Sequence, residues 1–209
     1  MKPRNLLWLL LGALGFAAAP LPTGTAAIFT GQAQNPNNTF TTAPCFSADT
    51  GLLNPTAQAP DTGAGDGDGF EQDPTNAFAD GGGYAANYDG EGDRHFFYDY
   101  NISIPSGCSV SGIEIRLDWW LDSTMGSNST SVELSWDSGA SWTAAKTDST
   151  GTTEEHTAVL GGSTDTWGRS WAAAELSNDN FRLRITSNSD EPSMDFFLDW
   201  VPIRVSYGP

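Results

Sequence analysis

Two neighbouring stretches of the chain alternate residues with a period of two, and that pattern confines the body of the protein to β-strands. In residues 95–104, Phe96, Tyr98, Tyr100, Ile102 and Ile104 share one face, and His95, Phe97, Asp99, Asn101 and Ser103 share the other. After a Pro105-Ser106-Gly107 turn, Ile113, Ile115, Leu117 and Trp119 alternate with Glu114, Arg116, Asp118 and Trp120. Further strands are expected at residues 132–136, 158–160, 181–185 and 196–207, with a bulge or edge position at Pro202, where the parity changes. Only residues 172–177 suit a helical turn. Short strands punctuated by Gly, Asp and Ser predict an all-β fold: a two-sheet antiparallel β-sandwich, jelly-roll-like, with an extended N-terminal arm.

The segments ahead of this block differ in kind. Residues 1–27 have the layout of a secretory signal peptide: basic Lys2 and Arg4, an apolar run over residues 6–19, and small residues ending Thr25-Ala26-Ala27. A retained anchor is the alternative, but the run is short against the ~20 residues that span a bilayer. Residues 28–46 form a β-prone, Thr/Asn-rich arm. Residues 47–73 read as a Gly/Pro/Asp-rich linker, which starts the sandwich domain at 74 and extends it to 209. The expected location is extracellular or at the cell surface, with no membrane attachment after cleavage.

Charge narrows the partners. Loss of the leader moves the formal charge from −17 to about −19, and Lys146 is then the one lysine left. Nucleic acid and anionic membranes are excluded as partners on these grounds. The acidity suits calcium or polyhydroxyl ligands. Cys45 and Cys108 fit an oxidising compartment, where a lone pair forms a bridge within the chain or between subunits.

Several local motifs bear on chemistry. Ser135-Trp136-Asp137-Ser138-Gly139-Ala140-Ser141-Trp142 is similar to the Asp-box hairpin, S-x-D-x-G-x-x-W, in which Ser135, Asp137, Gly139 and Trp142 staple a turn rather than catalyse. Asp66 and Asp68 stand at the alternate spacing of calcium loops, and Asp80, in Ala79-Asp80-Gly81, is a further candidate metal ligand; no other cofactor is expected. Trp120 and Trp167 are candidates for an exposed sugar-binding platform. There is no HExxH pair, G-x-S-x-G elbow or Cys–His dyad, so the chain is expected not to be an enzyme.

Two resemblances add to this reading. Thr75-Asn76-Ala77-Phe78-Ala79-Asp80-Gly81, Ile104-Pro105-Ser106-Gly107, Ile113-Glu114-Ile115, Asp165-Thr166-Trp167-Gly168 and Phe197-Leu198-Asp199-Trp200-Val201 together resemble a β-sandwich module of bacterial secreted and phage structural proteins. Thr25-Ala26-Ala27-Ile28-Phe29-Thr30 and Asn38-Thr39-Phe40-Thr41-Thr42 are similar to the mature N-terminus of camelysin and TasA-like filament proteins. The second resemblance implies polymerisation through a donated strand, with Ile28, Phe29, Thr30 and Phe40 in the polymerising arm. An arm of about 17 residues reaches some 55 Å when extended, far enough to enter a neighbour. The leading expectation is therefore a non-enzymatic structural subunit of an extracellular filament, pilus or matrix, a homo-polymer assembled by donor-strand exchange. The alternative is a secreted carbohydrate-binding or adhesive β-sandwich module with a glycan partner.

Overall fold

The computed structural model describes residues 45–209. Eleven strands follow in chain order: β1 (Ala48–Asp49), β2 (Ala57–Pro60), β3 (Ala85–Asn87), β4 (Arg94–Tyr98), β5 (Ser109–Leu121), β6 (Ser129–Ser135), β7 (Lys146–Asp148), β8 (His156–Gly161), β9 (Arg182–Asn188), β10 (Phe196–Trp200) and β11 (Ile203–Gly208). Two short 3-10 turns, at Pro74–Ala77 and Ala173–Leu176, complete the described elements. Every paired strand is antiparallel. One sheet runs β1-β11-β5-β10-β3 with β8 also on β5, and the second runs β2-β4-β9-β6-β7. The fold is thus the expected two-sheet antiparallel sandwich.

The long strand β5 is the spine of the first sheet. Its odd positions Ile113, Ile115, Leu117, Trp119 and Leu121 are buried and face Phe97, Val132, Leu134, Leu183 and Ile185 of the second sheet. Each such side chain contributes about 1.5–3 kcal/mol on leaving water. Residues 196–207 make two strands rather than one, because Val201 and Pro202 interrupt the ladder between β10 and β11. Pro202 has no N–H to give; its carbonyl accepts from Arg116 instead. The interruption keeps Phe196 and Leu198 on one side of it, and Ile203 and Val205 on the other, all pointing inward.

Two expectations need correction. The strand predicted over residues 95–104 stops at Tyr98, because Asp99 and Asn101 take left-handed backbone at φ 60° and 56° and turn the chain. Residues 47–73 are not a linker: they carry β1, which pairs with β11, and β2, which pairs with β4. Small residues with little alternation suffice there because both strands lie at sheet edges. The following loop also docks. The Phe70 N–H donates to His95 Nδ1 at 3.1 Å, while the opposite ring nitrogen lies 2.7 Å from Gln58 Oε1. Burial pushes the His95 pKa down to about 4, so the ring is neutral at pH 7 and Nε2 carries its proton.

Cys45 and Cys108 are joined within the chain, with Cα atoms 5.3 Å apart. The bridge ties the segment entering β1 to the segment entering β5. The polymerisation-arm residues Ile28, Phe29, Thr30 and Phe40 lie outside the described residues. No helix of the described residues is long and apolar enough to cross a membrane.

Candidate functional site

The outer face of the second sheet carries an aromatic and arginine surface built by strand register. Along β4 the inward residues His95 and Phe97 are buried, which turns Arg94, Phe96 and Tyr98 outward. Phe96 stands opposite Ala59 on β2 and Arg184 on β9, and Arg184 stands opposite Glu133 on β6. One row across four strands therefore reads Ala59, Phe96, Arg184, Glu133. The next row reads Ala57, Tyr98, Arg182, Ser135.

Charge fixes the arginines in these rows. Arg184 donates from Nε and Nη2 to Glu133 Oε2 at 2.9 and 2.6 Å, and its Nη1 lies 4.0 Å from Asp61 Oδ2. Asp61 also pairs with Arg94 at 3.9 Å. Arg182 donates from Nη1 to the carbonyls of Asn178 and Phe181, and its guanidinium stands 4.4 Å from the Tyr98 ring centre.

The hairpin after β6 brings a third ring to this face. Ser135 Oγ donates to Asp137 Oδ1 and accepts the Asp137 and Gly139 N–H groups; Asp137 Oδ1 accepts the Ser141 N–H at 2.8 Å. Ser138 and Gly139 both take positive φ, 62° and 94°, closing the turn. Trp142 leaves this turn to stack on Phe96, centroids 5.6 Å apart and planes 11° from parallel, with the Arg184 guanidinium 4.1 Å from its ring centre. A cleft of about 330 Å³ opens beside it, lined by Ala59, Phe96, Tyr98, Ser138, Gly139 and Arg182. The Asp-box turn is thus one wall of a surface as well as a staple. Ser135→Ala removes one buried hydroxyl and strands two N–H groups, so it will lower stability by about 1–3 kcal/mol in urea unfolding.

The candidate platform tryptophans divide. Trp167 is 4% exposed: its Nε1–H donates to the Ile113 carbonyl and its indole packs where Gly161 leaves no room for a Cβ. It belongs to the core, and the expectation of an exposed ring there is corrected. Trp120 is half-buried in a trio with Tyr84 and Phe197 on the other sheet, where it meets Phe197 at 34° and the edge of Tyr84 at 77°. The sequence places Trp142 in the Asp-box turn but gives no pairing with Phe96, the stacking partner that sequence reasoning missed. Its only advance signal was that residues 95–98 are aromatic on both parities.

The candidate metal ligands also divide. Asp66 and Asp68 come together, but their third partner is Asp93 rather than Asp80. Asp80 lies instead near Arg116, together with Asp118 and Glu155. There Asp118 is fully buried, 2.7 Å from Arg116 Nη2 and hydrogen-bonded to Thr157.

No protein-family model matches the chain, and no curated protein matches it. Among solved structures, the chain is similar to the CBM32 of AlyQ in complex with 4,5-unsaturated mannuronic acid, at 15% identity and a TM-score of 0.38, covering 73% of this chain and 96% of that one. It is similar to the Clostridium thermocellum N-terminal endo-1,4-beta-D-xylanase 10B, CBM22-1 and GH10 modules complexed with xylohexaose, at 18% identity and a TM-score of 0.34, covering 58% of this chain and 21% of that one. A CBM4 structure is similar at 12% identity and a TM-score of 0.36, with 57% and 80% covered.

Proposed function

We propose that the chain is an exported, non-catalytic glycan-binding β-sandwich module whose ligand lies on the outer face of the second sheet. One observation carries this reading: the near-parallel stack of Trp142 on Phe96, flanked by Arg182, Arg184 and Glu133. Phe96 and Arg184 are cross-strand neighbours on one face. Both contact the Trp142 ring, so the indole, the phenyl and the guanidinium form one continuous surface. A sugar ring presents a flat C–H face and a rim of hydroxyls. A flat aromatic surface takes the first, and fixed guanidinium and carboxylate groups take the second.

Binding is favoured over hydrolysis by how the carboxylates are used. Glycoside hydrolysis needs a carboxylic acid and a carboxylate facing each other across the scissile bond. On this face Asp61 and Glu133 are both engaged with arginine. The donor-strand filament reading depends on residues 28–42, which lie outside the described residues, whereas the glycan reading depends on a described surface.

Glycan-array screening followed by calorimetry on the best hit tests the reading. Trp142→Ala will weaken binding at least tenfold, and Trp120→Ala will leave it unchanged. A folded protein that binds no glycan, or one whose affinity survives Trp142→Ala, overturns the reading.

A further inference from the structure

The acidic loop after β2 converges on a residue far along the chain. Asp66, Asp68 and Asp93 each bring a carboxylate oxygen to within 4.8 Å of the others. Asp93 stands 27 residues beyond Asp66 and is 1% exposed. Its Oδ1 accepts the Asp66 backbone N–H at 2.9 Å, whereas its Oδ2 has no hydrogen-bond partner. Burying an unpartnered carboxylate oxygen is costly, and such an atom calls for a ligand.

Among the described residues, nothing neutralises this cluster: no lysine or arginine forms an ion pair with Asp66, Asp68 or Asp93. Asp80, Asp118 and Glu155 differ, since they lie near Arg116, which pairs with Asp118 at 2.7 Å. The backbone is shaped to keep the carboxylates close. Gly65 takes φ +59°, and a Cβ there would collide with Asp93 Oδ1.

We propose that Asp66, Asp68 and Asp93 form a calcium site. The donors are all hard oxygens, with no histidine or cysteine among them, which selects a hard divalent cation. A loop that supplies two of the three ligands adapts to the six to eight oxygens calcium takes at variable angles. It suits less well the strict octahedron of magnesium. The cation joins the loop after β2 to the head of β4. That same loop starts with Asp61, the partner of Arg94 and Arg184, so the ion also braces one margin of the aromatic face.

Thermal unfolding and calorimetry of the full chain, stripped with EDTA and then titrated with calcium chloride, test the site. Saturating calcium will raise Tm by about 3–8 °C, and magnesium at the same concentration will raise it by less than half as much. Asp68→Asn, at an exposed position where folding is preserved, will weaken calcium binding at least tenfold, and Asp93→Asn will do the same. Asp80→Asn will leave the calcium response unchanged. Absence of any calcium-dependent shift, an undiminished shift in Asp68→Asn, or loss of the shift in Asp80→Asn overturns the proposal.

Discussion

Replacing Cys45 and Cys108 together by alanine will lower the unfolding free energy by about 4 kcal/mol, the value the chain-entropy model gives for a loop of this length. The two residues are 63 apart, and the loop they close contains β1 and β3 of one sheet and β2 and β4 of the other. An open chain samples many more unfolded conformations than a closed one, so the loss arises mainly in the unfolded state. For a domain of this size the midpoint will fall by about 8–16 °C. A native-state effect accompanies it. The segment after Cys45 is held by a two-residue strand and by the Thr50 and Leu53 N–H groups, which donate to the Val205 and Ile203 carbonyls. Without the bridge those two amides will exchange far faster than the amides of β5 or β9. A double mutant with an unchanged midpoint in thermal and urea unfolding would show that the bridge constrains nothing.

The sandwich was readable in the sequence wherever one face of a strand is buried and the other wet. Residues 113–120 alternate cleanly and lie within β5, and 132–136 and 181–185 alternate cleanly and overlap the end of β6 and the start of β9. The pattern failed where its physical basis fails. Ala57–Pro60 and Lys146–Asp148 are edge strands with half-buried positions and no branched apolar row, so they carry no period. In β4 the failure is informative. Phe96 and Tyr98 are as apolar as Phe97 but point outward, because they serve the surface rather than the core. No local pattern distinguishes these uses. The same limit hid the rest of the site. Glu133 and Arg184 meet through strand register, Trp142 joins them through the hairpin after β6, and Asp93 meets Asp66 and Asp68 through the pairing of β2 with β4. The sequence supplied the residue types for a binding face and a cation site, but only the sheet says which of them share a place. Trp167 errs in the other direction: a polar neighbourhood, Asp165-Thr166 before it and Gly168-Arg169 after, conceals a ring packed under β5.

Trp119→Ala will cost about 3–5 kcal/mol, in the range for removing a large buried aromatic. The ring is 1% exposed near the end of β5, lies near-parallel to Phe196, and touches His156 of β8 with centroids 4.9 Å apart. Its Nε1–H donates to Asp148 Oδ2 at 2.9 Å, and the same oxygen lies 2.8 Å from His156 Nε2. Asp148 is on β7 of the second sheet, so this one side chain links both layers at the edge where β7 and β8 meet. Trp119→Phe separates the contributions. It keeps most of the stacking, removes the N–H donor, and will cost about 1–3 kcal/mol. Acid titration supplies a second readout. Partial burial of Asp148 works to raise its pKa, but hydrogen bonds from His156, Thr150 and Trp119 outweigh it and hold the carboxyl below its ordinary 3.8. A depressed folded pKa means that the ionised form stabilises the fold above the unfolded value, and that this contribution is lost as pH falls through 3.8 towards the folded value. With one of three donors gone, Trp119→Phe will show a smaller loss across that interval than the wild type. Equal acid losses in the two proteins would mean that the indole N–H does not hold the Asp148 carboxylate, and that Trp119 acts through its volume alone.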